Sequence, residues 1–84
     1  MKKVDLSKVE VTMLDGTKKE MNIALNLAQV IFNNTQSIEE HNFALELYKN
    51  NTVELSDKNR KIIETYLEKY FMAYIKIAMQ KLLL

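Results

Sequence analysis

Polar and apolar residues alternate near the start of the chain, which is the pattern of a half-buried strand. Within residues 9–13 the apolar side chains fall on every second position, and the segment 18–23 alternates again. Between them lies the pair Asp15-Gly16, which contains the only glycine of the chain. An Asp-Gly pair in this position favours a type I′ turn, in which both central residues need positive φ. We therefore predict a β-hairpin at about residues 4–23.

Two short helices are predicted in the middle of the chain, at about residues 24–33 and 38–49, where apolar side chains recur every three or four positions. Ser37 and Glu40 have capping-box spacing before the second helix. In that motif the Ser37 hydroxyl accepts from the Glu40 amide, and the Glu40 carboxylate reaches back to the Ser37 amide. The segment Val53-Glu54-Leu55 fits either an added strand or a plug of the core.

The C-terminal segment predicts one long helix at about residues 57–82, because it contains neither Gly nor Pro and its apolar residues recur at helical spacing. One series of these apolar residues, from Ile62 to Leu82, repeats every four residues. Each such step advances 400°, so the apolar face drifts by about 40° per step. The helix must either kink near Met72-Ala73 or meet different neighbours along its C-terminal half. The predicted fold is a single α+β domain over residues 1–84, a β-hairpin packed on three helices.

The apolar end of the long helix predicts association with another chain. A domain of this size buries only about 60–65% of its unfolded surface. The chain also lacks cysteine, so no disulfide compensates for a small core. We expect a homo-oligomer in which a second copy covers the surplus apolar surface. The expected contact residues are Phe71, Tyr74, Ile75, Ala78, Met79, Leu82 and Leu83.

The charge distribution is uneven, but the asymmetry is too weak to indicate binding of nucleic acid. The net charge is +1, but residues 22–56 carry one basic and four acidic groups, and residues 57–84 carry six basic and three acidic groups. An acidic middle of −3 disfavours binding of phosphates, and a basic helix of +3 is a weak attraction. The alternative function is a small nucleic-acid-binding regulator. Its contacts would be Lys58, Arg60, Lys61 and Lys69.

Catalytic and metal-binding patterns are missing from the sequence. His41 is the single histidine and has no second ligand at a metal-binding spacing, so we expect a solvated side chain. Glu64 and Glu68 lie one helical turn apart, but lysines flank them, which is typical of a solvated helix face. We therefore predict no catalytic residue, no cofactor and no metal, and a protein that is not an enzyme.

Neither end of the chain predicts a membrane segment or a secretion signal. Two lysines near the N-terminus are not followed by an apolar stretch, and the apolar segment 71–84 is interrupted by polar residues. That segment is also shorter than the roughly 20 residues of a membrane-spanning helix. We expect a cytoplasmic protein without a membrane partner.

Four segments resemble small proteins of phages and prophages of gut Bacteroidetes. They are VTMLDGT (residues 11–17), LAQVIF (27–32), LELYKN (45–50) and VELSD (53–57). The resemblance implies a virion-assembly or host-interaction protein, located in the host cytoplasm or in the virion, and it implies no enzymatic activity. Proteins of this kind are expected to have a glycine near position 51, where this chain has Asn51.

Overall fold

The computed structural model describes residues 2–83 and confirms the predicted α+β class. Three short strands come first, followed by two helices, a fourth strand and two more helices. In chain order they are β1 (Lys3–Asp5), β2 (Val9–Thr12), β3 (Lys18–Met21), α1 (Ile23–Asn34), α2 (Ile38–Asn50), β4 (Thr52–Glu54), α3 (Asp57–Tyr70) and α4 (Ala73–Leu83). The described residues thus form four helices where three were predicted.

Strands β2 and β3 form the predicted hairpin, paired antiparallel with Val9 opposite Met21. The turn differs from the predicted type I′. Gly16 has a φ of 88°, but Asp15 does not have positive φ. The Gly16 amide donates to the Met13 carbonyl at 3.0 Å, and the Met13 amide donates to the Thr17 carbonyl at 2.8 Å. The hairpin loop therefore needs only one left-handed residue, and glycine provides it.

A second antiparallel pair joins the two halves of the chain, and the sequence pattern did not predict it. Strand β1 pairs with β4, with Val4 opposite Val53, and both side chains are buried. Leu55 is also buried, so the segment after α2 acts both as a strand and as a plug of the core. Asn51 has φ 60° and ψ 0°, a left-handed conformation that ends α2 and directs the chain into β4.

Three helices begin with the side-chain caps that stabilise free amides. Asn22 accepts from Leu25 before α1, Ser37 accepts from Glu40 before α2, and Ser56 accepts from Asn59 before α3. The first half of the predicted capping box is therefore present. The second half is not, since the Glu40 carboxylate binds other partners and the Ser37 amide donates to the Thr35 hydroxyl at 3.1 Å.

The long C-terminal segment is divided into α3 and α4. Phe71 has φ −112° and ψ 150°, which is extended backbone, and α4 starts two residues later. Both alternatives derived from the drifting apolar face are realised. The chain bends near Met72, and the two parts meet different neighbours, because α3 packs on α1 and α4 packs on β2.

Apolar residues from α1 to α4 and from β1, β2 and β4 form one continuous core, and no polar or charged side chain of residues 2–83 is buried in it. The radius of gyration is 12.3 Å, close to the roughly 12 Å expected for a compact domain of this length. No helix within residues 2–83 has both the length and the hydrophobicity to cross a membrane.

Candidate functional site

The residues that the sequence assigns to an oligomer contact lie mostly inside the protomer. The buried ones are Ile75, Ala78, Met79 and Leu83. The half-buried ones are Phe71, Tyr74 and Leu82. They are covered because α4 turns back and packs on β2 of its own chain. The surface that was expected to be free for a partner is thus packed within its own chain. A contact between copies through these residues requires that α4 leave its own hairpin.

The basic residues assigned to nucleic-acid contact do not form one positive patch. Lys58, Lys61 and Lys69 share one side of α3, whereas Arg60 lies about 150° from their mean direction around the helix axis. The ammonium of Lys58 is paired with the carboxylate of Glu39. Lys69 lies near the carboxylate of Glu40. After the hydrogen bonds that this carboxylate accepts, the charge of Lys69 also lowers the pKa of Glu40. Two acidic side chains thus offset the three lysines, which weakens any attraction for phosphates.

A polar network joins α2 to α3 and to the loop that precedes α2. The Tyr66 hydroxyl donates to Glu40 Oε1 at 2.6 Å, and the Thr35 hydroxyl donates to the same oxygen at 2.8 Å. These two bonds, that of Tyr66 first, hold the pKa of Glu40 below its usual value. Burial, and then the bond to Glu40, raises the pKa of the Tyr66 phenol. The network fixes the position of α3 against the α1–α2 loop, which is a structural role.

His41 differs from the expected solvated histidine. Its ring is half-buried and lies with its centroid 5.2 Å from that of Phe32, at an interplanar angle of 36°. Its Nδ1 atom is 3.5 Å from Asn42 Oδ1. The contact with Phe32 ties α1 to α2 at the surface and makes the imidazole part of an apolar surface rather than a separate polar group.

The largest concentration of exposed apolar side chains lies on α1 and α2. Residues 2–83 contain nine exposed large apolar side chains, and five of these lie on the two helices. Together with the half-buried His41 they define a surface that we name the outer face. Its residues are Leu25 and Phe32 of α1 and Ile38, His41, Leu45 and Tyr48 of α2. This surface was not recognised in the sequence, where the same residues fit a helical core stripe equally well.

A groove runs along the outer face between the two helices. Its volume is about 430 Å³, and Ala28 and Ala44 form its floor, while Phe32, Leu45 and Tyr48 form its walls. The small floor residues allow α1 and α2 to approach closely, and the larger side chains stand on either side. The groove is therefore mainly apolar, although Gln29 and Asn33 also line it, and it suits the side chains of another helix.

A second cleft, between α2, β4 and the start of α3, has a different character. Its volume is about 420 Å³, and charges of both signs line it. Glu39 is paired with Lys58, and Lys3 stands opposite Glu54 in the β1–β4 pair. Across residues 2–83, His, Asp and Glu side chains do not come together in groups of three or more that would hold a metal ion. The paired charges indicate a solvated surface cleft.

Comparison with known proteins adds no assignment, since no protein-family model, no curated protein and no solved structure matches this chain. The geometry of the outer face is therefore the main basis for a functional proposal.

Proposed function

We propose that this chain is a non-enzymatic protein that works by protein–protein contact and that its partner at the outer face is a second copy. The exposed apolar side chains of the outer face are the observation that carries the proposal. Exposed apolar patches with polar surroundings mark interaction sites on small domains.

Helix α1 contains no charged residue over its 12 positions, including the exposed ones. The centres of protein interfaces are depleted in charged residues and enriched in aromatic ones. In a two-fold contact each residue near the axis meets its own copy, so a charged face repels itself. The uncharged α1 avoids this repulsion, which favours a second copy as the partner.

The outward side chains of α2 have the spacing of a helix seam. Ile38, His41, Leu45 and Tyr48 follow one another at intervals of three, four and three residues. This is the a/d spacing by which helices pack side chains into a facing helix. Leu47, about 140° around the helix axis from this seam, is buried in the core of its own chain. The seam is therefore available to a helix of another protomer, and an antiparallel pairing of two α1–α2 units would form a four-helix arrangement.

The size of the outer face predicts a modest affinity. Helices of 12 and 13 residues side by side give a face about 20 Å long and about 20 Å wide. Such a face covers about 400 Å², half of the roughly 800 Å² that each partner buries in a specific interface of standard size. We therefore expect a dimer that dissociates on dilution.

A charge placed on the outer face tests this proposal. Tyr48 and Ile77 are equally exposed, at 59% and 58%, but only Tyr48 belongs to the outer face. We expect Tyr48→Glu to raise the dimer dissociation constant at least tenfold, because two carboxylates would be brought together in an apolar contact. Ile77→Glu, on α4, should leave the constant unchanged. Sedimentation velocity over a range of concentrations measures both.

Two results of these sedimentation measurements would contradict the proposed dimer. A wild-type chain that stays monomeric at about 0.5 mM would refute self-association in the range where weak dimers form, and so would equal effects of the two substitutions. Substitution of the half-buried Leu82 by lysine is a poorer test, because a charge there would disturb the packing of α4 as well as any contact.

Resemblance of four segments to phage and prophage proteins supports a setting for this activity. It favours a role in virion assembly or in contact with a host protein, in the host cytoplasm or in the virion. Nucleic-acid binding through α3 is the less favoured alternative, because Glu39 and Glu40 stand beside the lysines.

A further inference from the structure

The break between α3 and α4 is not required by the local sequence. Sharp breaks in helices usually occur at Pro or Gly, or where a side chain or water enters the hydrogen-bond ladder. Residues 57–84 contain neither Gly nor Pro, and Phe71-Met72 stands at the break. Methionine is a good helix former, and phenylalanine is acceptable in a helix. A continuous helix through these positions is therefore compatible with the local sequence.

Helix α4 also lacks the start signal that the other three helices possess. Asn22, Ser37 and Ser56 cap α1, α2 and α3 with side-chain oxygens. The residue before α4 is Met72, whose thioether is only a weak acceptor. The first amides of α4 have no capping side chain there, which makes this helix start less stable than the others.

Tertiary packing is what holds the bend in place. The inner stripe of α4, including Ile75 and Met79, joins the core on the side of β2, whereas α4 packs only lightly on α3. At the bend, Lys76 Nζ donates to the Glu68 carbonyl at 3.1 Å and lies 3.7 Å from the Glu68 carboxylate. Such an exposed contact contributes little. The energy that favours the bent chain thus comes mainly from the docking of α4 on β2.

We propose that two copies of this chain exchange α4, so that α3 and α4 of each copy form one straight helix and α4 docks on β2 of the partner. The contacts with β2 are then recreated between copies, and the amides after Phe71 regain helical acceptors. Exchange of an identical element is a low-cost route to a dimer, and a short connection between two helices favours it. The straight helix of 27 residues would be about 40 Å long.

The exchanged contact involves the C-terminal apolar stripe, which the sequence assigned to an oligomer interface. Its members are Phe71, Tyr74, Ile75, Ala78, Met79, Leu82 and Leu83. In the monomer α4, which carries all of them except Phe71, packs on β2 of its own chain, and in the exchanged dimer it packs on β2 of the other copy. This contact is separate from the outer face and does not depend on it.

Capping of α4 tests the exchange, with Tyr48→Glu as the background so that contact through the outer face is removed. Met72→Ser supplies a cap in the bent chain and lowers helix propensity in the straight one. Gln80→Ser is the matched control, since Gln80 is exposed within α4 and far from its start. Each protein is refolded at high concentration, and its dimer association constant is measured by sedimentation.

We expect the background protein to form a dimer and Met72→Ser to lower its association constant about thirtyfold, because the cap acts once in each chain. Gln80→Ser should change it less than about threefold. Ala73→Pro should abolish the dimer and leave the monomer folded, since proline fits the first turn of α4 but not the interior of a straight helix.

Hydrogen–deuterium exchange of the backbone amides at the bend distinguishes a dimer that has swapped α4 from a dimer formed by any other contact. The amides of Ala73 and Tyr74 should be protected in the dimer and exposed in the monomer. The proposal is overturned by a background protein that stays monomeric, by a dimer with unprotected amides at these positions, or by equal effects of Met72→Ser and Gln80→Ser. A wild-type dimer that persists in any of these cases leaves the outer-face proposal standing.

Discussion

At the scale of single residues, the most informative group is the carboxylate of Glu40. Local pattern assigned it to the amide of Ser37, but in the structure it accepts hydrogen bonds from Thr35 and Tyr66. A bond to a hydroxyl in the partly buried interior is worth more than one to an exposed amide, because less water competes there. The position of Tyr66, 26 residues further along the chain, therefore decides the partner of Glu40.

Tyr66→Phe should lower the free energy of unfolding by about 1 kcal/mol at neutral pH, because it removes one donor to a carboxylate. Since the pKa of Glu40 is lowered on folding, this stabilisation is present above the ordinary pKa of glutamate. It is lost as the pH falls through the folded pKa. Urea unfolding of both proteins from pH 7 to acidic pH measures the difference, and a difference that does not shrink in acid would contradict the assignment.

Helix ends show at the scale of elements why a helix begins or stops where it does. Asn22, Ser37 and Ser56 mark three starts, and all three act as caps. Asn51 marks the end of α2 through its left-handed backbone. The resemblance to phage proteins led us to expect glycine near this position, and the observed φ of 60° explains such a preference, because glycine adopts positive φ without steric cost.

Substitutions of Asn51, at the end of α2, test whether its left-handed backbone limits the stability of the fold. Asn51→Ala should destabilise the fold by about 1 kcal/mol, because a β-carbon without a side-chain hydrogen bond disfavours the left-handed conformation. Asn51→Gly should retain or slightly raise the stability. Asn33→Ala, at an exposed helical position of α1, is the control and should be neutral. Thermal unfolding compares the three, and an Asn51→Ala protein as stable as the control would argue against a constrained helix end.

On the scale of the whole molecule, the chain hides more of its C-terminal apolar surface than its length alone indicates. The bend at Phe71 brings α4 onto β2, and pairing of β1 with β4 closes the other side of the core. The apolar surface that remains exposed is therefore concentrated on α1 and α2. The sequence predicted exposed apolar surface on the C-terminal helix, whereas in the structure most of it lies on α1 and α2.

Met79→Ala tests whether α4 belongs to the core of the folded monomer. Met79 is fully buried, so truncation should cost about 2–4 kcal/mol through the lost contacts and the cavity. Ile77→Ala on the exposed side of the same helix should cost less than about 1 kcal/mol. Urea unfolding at low protein concentration, where dimers dissociate, makes the comparison. Equal and small effects would show that α4 is not docked on its own chain.

Local signals in the sequence were sufficient for much of the fold. The drifting apolar face gave a bend near Met72 as one of two alternatives and did not decide between them. Strand alternation and the Asp15-Gly16 pair located the hairpin, and capping residues located two helix starts. These features depend on residues within about one or two turns of each other. Their hydrogen bonds and side-chain directions follow from spacing alone.

Tertiary structure alone decided the partners of these elements. Pairing of β1 with β4, the bond of Tyr66 to Glu40 and the docking of α4 on β2 all join residues that are distant in the chain. The outer face was also decided by tertiary structure. Leu45 and Tyr48 would have the same spacing in the sequence whether the core buried them or left them exposed. Periodicity specifies which side of a helix is apolar. Only packing determines which apolar side is covered, since burial depends on what the rest of the chain brings against it.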